Sequence, residues 1–113
     1  MNTASSFRSD PVNSLVALAV FLLSLTVYTI TLTPSVPFWD GGEYIATSYI
    51  LGIPHPPGTP LYVLIGRVFS MIPLSEVAVR VNWLSAFGAA VTVFFTYLIG
   101  VKLVRHVFPP AAD

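Results

Sequence analysis

Twenty consecutive residues without a charge, SLVALAVFLLSLTVYTITLT from Ser14 to Thr33, constrain this chain more than any other feature. A helix of that length rises ~1.5 Å per residue and crosses a hydrocarbon core of about 30 Å. A cleaved signal peptide is the competing explanation, but the run is long and no small-x-small cleavage site follows it. Residues 14–33 are therefore expected to form a retained transmembrane helix. A second uncharged run, WLSAFGAAVTVFFTYLIGV from Trp83 to Val101, has 19 residues. It reads as part of a longer helix that begins near Ser75, an N-cap ahead of Glu76, and stops at Pro109 and Pro110. Ser85, Ala89, Thr92 and Thr96 share one face of it. That face is either a seam where neighbouring helices approach closely or only the small residues common in membrane helices.

The rest of the composition agrees with lipid as the solvent. Of 113 residues, 55% are hydrophobic and only 9% charged, against about a quarter charged in a soluble domain. The few basic residues are scattered and the net charge is zero, which argues against a nucleic-acid partner. There are no cysteines, hence no disulfide and no thiolate metal site. The soluble-enzyme signatures are absent as well: no P-loop, no G-x-G-x-x-G, no H-E-x-x-H, no G-x-S-x-G.

Five segments follow: a cytoplasmic tail (1–13), a first span (14–33), an outer loop (34–82), a second span (83–101) and a cytoplasmic end (102–113). Arg8 before the first span and Lys102, Arg105 and His106 after the second put both ends inside by the positive-inside rule, although Arg67 and Arg80 lie in the loop. The loop then faces the outside, periplasm or lumen. Within it, Asp40-Gly-Gly-Glu43 opens a short helix that Gly52 ends, and PHPPGTP forms an extended turn. Thr59 as N-cap and Pro60 at the first helical position start another helix, LYVLIGRVFSMI, which Pro73 ends. It is too short to span and should lie at the interface or re-enter.

The loop polar residues each admit two readings. Asp40 and Glu43 have capping-box spacing; equally, two carboxylates at a membrane face form a proton acceptor or cation site. Gly41 and Gly42 between them admit a substrate or another backbone. His55, held between prolines, is either wetted by headgroups or placed to contact a phosphate. Arg67 and Arg80 either snorkel or grip a lipid-linked phosphate through the guanidinium fork. Asn82 and Trp83 read as interface markers, Trp83 as an aromatic anchor. Two carboxylates alone are too few ligands to assign a Mg²⁺ or Mn²⁺ site, so a divalent cation stays open and no metal residue is assigned.

Three motifs taken together are more specific than any of these. F-W-D-x-G-E-Y-I from Phe38, G-x-x-H-P-P-G-x-P-L-x-x-L-x-G-R from Gly52 and R-x-N-x-x-S-A from Arg80 resemble the N-terminal region of a family of multi-pass membrane proteins. That family includes the transmembrane protein O-mannosyltransferases; more loosely, the same features resemble the dolichyl-phosphate-mannose protein mannosyltransferases and the bacterial lipid A aminoarabinose transferases, all of the GT-C class. The resemblance covers residues 36–100. It implies an all-α, multi-pass glycosyltransferase in the bacterial inner membrane or the ER membrane. Such an enzyme moves a sugar, mannose in the O-mannosyltransferases, from a polyprenyl or dolichyl phosphate to a hydroxyl on a protein or glycan acceptor, on the non-cytoplasmic face, with inversion. By motif position Asp40 would activate the acceptor, Glu43 would be the second carboxylate, and His55, Arg67 and Arg80 would bind the donor. Two spans cannot enclose donor and acceptor together, so the chain is expected to be an N-terminal fragment, inactive by itself. The alternative is a small two-span scaffold that binds another membrane protein through its small-residue face.

Overall fold

The computed structural model describes residues 10–109; Arg8 and Pro110, used above for orientation and helix termination, lie outside them. Four helices and no strand occur among the described residues: α1 (Pro11–Ile30), α2 (Gly41–Ile50), α3 (Pro60–Ser70) and α4 (Val77–Val107). Helices α1 and α4 are long and apolar enough to cross a membrane.

Helix α1 begins and ends three residues earlier than the uncharged run from Ser14 to Thr33. The reason is a local start signal: Asp10 is the N-cap, its carboxylate accepts from the Val12 N–H at 3.1 Å, and Pro11 follows. Among the helices, α1 packs against α4 alone. Ala17 on α1 and Ala86 and Ala90 on α4 are buried, and small side chains there let the backbones approach. Phe21 sits edge-on to Phe87 and Phe94, with centroids 6.1 and 6.2 Å away. Both ends of the pair are tied. Tyr97 donates to Asn13 Oδ1 at 2.8 Å and Arg105 pairs with Asp10 at 2.9 Å, while at the other end Trp83 Nε1 donates to Thr29 Oγ1 at 3.2 Å.

The α1–α4 seam lies on a different face of α4 from Ser85, Ala89, Thr92 and Thr96. Ser85 is exposed, and Thr92 and Thr96 are exposed with their hydroxyls bonded to the Gly88 and Thr92 carbonyls one turn back. One residue along a helix is a rotation of about 100°, which separates the Ser85–Ala89 face from the buried Ala86–Ala90 face.

Helix α4 also starts differently. Glu76, not Ser75, is its N-cap, and Ser75 takes a left-handed φ of 55°. The turn is organised instead by Arg80, whose Nη1 donates to the carbonyls of Ser70 and Ile72 at the end of α3, leaving Ser75 to reverse the chain. Pro60 does open α3 after Thr59, as expected, and α3 runs to Ser70. Helix α2 ends one residue before the expected point: Leu51, not Gly52, takes the left-handed position, and the Gly52 N–H closes on the Thr47 carbonyl at 2.8 Å.

Helices α2 and α3 form a short hairpin that leans on α4. Its centre is Gly66 of α3 against Ser48 of α2 beside Val81 of α4; Ser48 and Val81 are wholly buried. Asn82 joins this layer to the end of α1, its Nδ2 donating to the Thr33 and Ser35 carbonyls at 3.1 and 3.2 Å.

Candidate functional site

Asp40 stands at the N-cap of α2, but its side chain makes no cap bond, because its backbone is already helical (φ −71°, ψ −4°) rather than extended. Glu43, one turn on, reaches away from the helix end. The capping box allowed by the spacing does not form. Gly41 and Gly42 permit close approach, as expected of them, and the neighbours they admit are the chain's own: a Cβ at Gly41 would stand 2.3 Å from Pro37 Cγ, and one at Gly42 2.9 Å from Val36 Cγ1. This packing folds the 36–39 segment under the start of α2. Phe38 and Trp39 are left almost fully exposed, Trp39 with φ 63°.

Glu43 instead clamps His55. The His55 backbone N–H donates to Oε1 at 2.7 Å, and Nδ1 lies 2.7 Å from Oε2. A carboxylate only accepts, so Nδ1 carries a proton and Nε2 is left for another partner. The clamp joins residues twelve positions apart and closes the loop between α2 and α3. On the far side of His55 its carbonyl accepts from Gly58 N–H at 2.9 Å, and Gly58, with φ +76°, makes the turn. His55 is thereby fixed by backbone and side chain together.

Asp40, Glu43 and His55 each offer a ligand-type atom, all within 4.8 Å of one another. That spacing suits a divalent ion, but both Glu43 oxygens are engaged by His55. A cation at these atoms would have to replace the clamp. As it stands, the cluster is a hydrogen-bonded dyad beside an uncommitted carboxylate.

The clamp shifts both partners. Its hydrogen bonds to the His55 side chain and backbone hold the Glu43 carboxyl below its ordinary 4.5. The bond to Glu43, then the Glu43 charge, with a smaller contribution from Asp40, raises His55 above 6.5. Glu43 thus stabilises the loop fully above pH 4.5, and this fades as pH falls through its lowered value. His55 stabilises it fully below pH 6.5, and this fades as pH rises through its raised value. Both contributions are complete only between those limits. In an NMR titration the His55 ring should therefore titrate above 6.5, and Glu43→Gln should bring it back towards 6.5. An unchanged titration in the variant would remove the clamp.

The other two candidate residues lie outside this cluster. Arg67 donates to the Tyr49 carbonyl at the end of α2 and lies over the Tyr49 ring, 5.6 Å from its centroid. Arg80 holds the end of α3, and its Nε is buried without a partner. Both guanidinium groups are thus committed to helix termini in this chain.

Sequence reasoning also passed over a cleft next to the cluster. It measures about 360 Å³ and is bordered by Gly41 and Tyr44 of α2, Thr59 and Tyr62 at the start of α3, and Asn82 and Ser85 of α4. The Tyr44 ring lies 6.3 Å from the His55 ring and meets the Tyr62 ring edge-on at 5.5 Å. Asn82 and Ser85 fall within the third motif, and their spacing of three on a helix was the available signal.

The family model "Protein O-mannosyl-transferase TMEM260 N-terminal domain" matches residues 40–112, beginning at Asp40 itself. The mouse Protein O-mannosyl-transferase TMEM260 is 39% identical over 85 residues, 74% of this chain and 12% of its own length. Its Dictyostelium discoideum counterpart is 33% identical over 82 residues, 70% of this chain and 10% of its own length. The chain thus spans about a tenth of the relatives it matches. No solved structure matches it.

Proposed function

The chain belongs to the Protein O-mannosyl-transferase TMEM260 N-terminal domain family, and from that premise we propose that it supplies the acceptor-activating loop of a membrane glycosyltransferase. The donor is a sugar, mannose by the relatives' name, carried on a polyprenyl or dolichyl phosphate; the acceptor is a protein hydroxyl. Helices α1 and α4 cross the membrane with both ends on the cytoplasmic side, and the 34–82 loop works on the other face, in a larger multi-pass protein that contributes the rest of the site. Lys102, Arg105 and His106 at the cytoplasmic end of α4 support that orientation.

One observation carries the reading: Asp40, where the family match begins, keeps its carboxylate free of the helix it caps while Glu43 holds His55 beside it. In the reaction the acceptor oxygen attacks the anomeric carbon as the carbon–oxygen bond to the carrier phosphate breaks, which inverts the anomeric centre. Asp40 takes the hydroxyl proton, and the phosphate leaves with the bond electrons. A general base in this position accelerates transfer by about 10²–10⁴-fold. His55, raised towards its cationic form, donates from Nε2 to the developing phosphate charge. Glu43 acts through His55, as the group that orients it. Arg67 and Arg80 serve the donor indirectly, by setting the ends of the helices that frame the loop.

Sealed membrane vesicles of both orientations, carrying the longest reading frame that contains this chain, test the assignment. Labelled mannose should pass from polyprenyl-phosphate-mannose to protein when donor and acceptor meet on the non-cytoplasmic face. Transfer only from the cytoplasmic face would reject the topology, and transfer at the level of control membranes would reject the activity.

A further inference from the structure

The cleft beside the cluster has a chemistry of its own. No charged side chain borders it, in contrast to the adjoining Asp40–Glu43–His55 group. Two tyrosine rings that meet edge-on at 71° form part of its wall, and its polar lining residues are all neutral: Thr59, Ser85, Asn82 and the two tyrosines. Such a lining is poorly suited to a phosphate or a cation, whose desolvation requires a counter-charge. An aromatic wall with neutral donors and acceptors suits a molecule with apolar ring faces and hydroxyl edges.

Two of these residues carry polar atoms that no other group among the described residues engages. Thr59 lines the cleft at the N-cap of α3 without making a cap bond; its Oγ1 is buried with no hydrogen-bond partner and becomes available to a ligand only if its side chain turns towards the cleft. A native fold rarely leaves such an atom unmatched unless something else satisfies it. Asn82 gives both of its bonds from Nδ2 to the carbonyls of Thr33 and Ser35. That fixes the amide plane and leaves Oδ1 as an acceptor held in place before any ligand arrives. The volume, about 360 Å³, lies in the range of small-molecule sites, ~300–1,000 Å³. The position is equally specific. Tyr44 belongs to the cleft and also neighbours the His55 ring, while Gly41 follows Asp40 directly. A ligand in the cleft therefore lies next to the cluster, with Tyr44 between it and His55.

We propose that this cleft is a pyranose subsite, in which Tyr62, Asn82 and Ser85 hold the neutral sugar ring presented to Asp40. The proposal rests on the glycosyltransferase reading above and adds to it the place and the residues that recognise the sugar. Tyr44 forms the wall shared with His55, so a sugar in the cleft leaves its phosphate on the His55 side. That geometry favours the sugar of the carrier-linked donor over a sugar on the acceptor.

Binding of three probes to the protein in lipid nanodiscs decides the matter: polyprenyl-phosphate-mannose, bare polyprenyl phosphate, and methyl α-mannoside. The mannose-bearing carrier should bind at least about tenfold tighter than the bare carrier, equivalent to one well-placed set of neutral hydrogen bonds. Ser85→Leu, which fills the cleft, should abolish that difference and leave bare-carrier binding intact, the latter reporting that the variant is folded. Tyr62→Phe, which removes only a hydroxyl, should reduce the difference severalfold and decides if Ser85→Leu does not fold. Methyl α-mannoside binding that is lost in Ser85→Leu, with the two carriers bound alike, would keep the pyranose subsite but assign it to an acceptor sugar. Equal binding of the two carriers without such glycoside binding overturns the subsite and leaves the phosphate part of the functional reading standing. Discrimination that survives both substitutions overturns it too. Failure of every probe to bind the unmodified protein rejects both the subsite and the donor assignment.

Discussion

Asp40→Asn is expected to lower sugar transfer by about 10²–10⁴-fold, the contribution of a positioned general base, while expression and thermal stability stay at the parent level. The two halves of this expectation come from the same geometry. Asp40 makes no side-chain bond to the helix it precedes, so the carboxylate can be exchanged for an amide of nearly the same shape without unmaking a cap. Were it a working N-cap, its loss would cost up to ~1–2 kcal/mol of stability, and any fall in activity could be blamed on that. An amide cannot accept a proton from an alcohol, so the chemistry should fail alone. The measurement is initial-rate transfer from the carrier-linked donor by the longest reading frame containing this chain, paired with a melting curve of the same preparation. Transfer within a few-fold of the parent would remove Asp40 from the base role. A lower melting temperature with proportionate loss of transfer would return it to the capping role that its spacing from Glu43 first suggested.

That spacing shows where reading the chain in one dimension reaches its limit. Residues three apart at the start of a helix can always form a capping box, and nothing local indicates when they do not. Glu43 is diverted by His55, twelve residues away, and the diversion depends on a turn at Pro54–Gly58 that folds the loop back over α2. The apolar runs were legible because hydrocarbon thickness fixes their length, and the start of α3 because Thr59-Pro60 carries its own backbone constraint. The packed face of α4 was not legible. Small residues occupy both the Ser85–Ala89 and the Ala86–Ala90 stripes, and the aromatic partners Phe21, Phe87 and Phe94 settle which one α1 covers. Arg67 and Arg80 were readable as cations near a membrane edge, whereas the carbonyls that engage them belong to helix ends whose positions only the fold defines. The motifs mark these residues without separating the two kinds of use. Asp40 and His55 belong to the exposed polar cluster, while Gly66, Arg67 and Arg80 hold the frame.

Gly66 provides the sharpest test of that frame. A Cβ built there stands 2.4 Å from Ser48 Oγ and 2.9 Å from Ser48 Cβ, inside any tolerable contact. Two effects compete in Gly66→Ala. Alanine in a helix interior is favoured over glycine by ~1 kcal/mol, which would stabilise α3. Overpacking of a closed interface costs about 1–3 kcal/mol, and here the Ser48 Cβ is fixed to the α2 backbone and cannot rotate away. The clash should win, with net destabilisation of up to ~2 kcal/mol for alanine and more for valine. Ser48→Ala alone should be neutral or slightly stabilising, since it removes a buried hydroxyl that has no hydrogen-bond partner. In the double variant the nearer obstacle is gone, so the two changes should couple by about 0.5–3 kcal/mol in the favourable direction. Denaturant unfolding of the four variants in one micelle system, followed by circular dichroism, gives the cycle. Gly66→Ala at or above parental stability would mean that propensity outweighs packing and that α2 and α3 are not in close register. Because Thr59 and Tyr62 stand at the start of α3 and Asp40 and Glu43 at the start of α2, a hairpin pushed apart at Gly66 also separates the cleft from the Asp40–Glu43–His55 cluster. Transfer should then fall in Gly66→Ala and recover in part with Ser48→Ala, although neither residue touches the cluster. That recovery is what distinguishes a glycine needed for approach from one needed for flexibility.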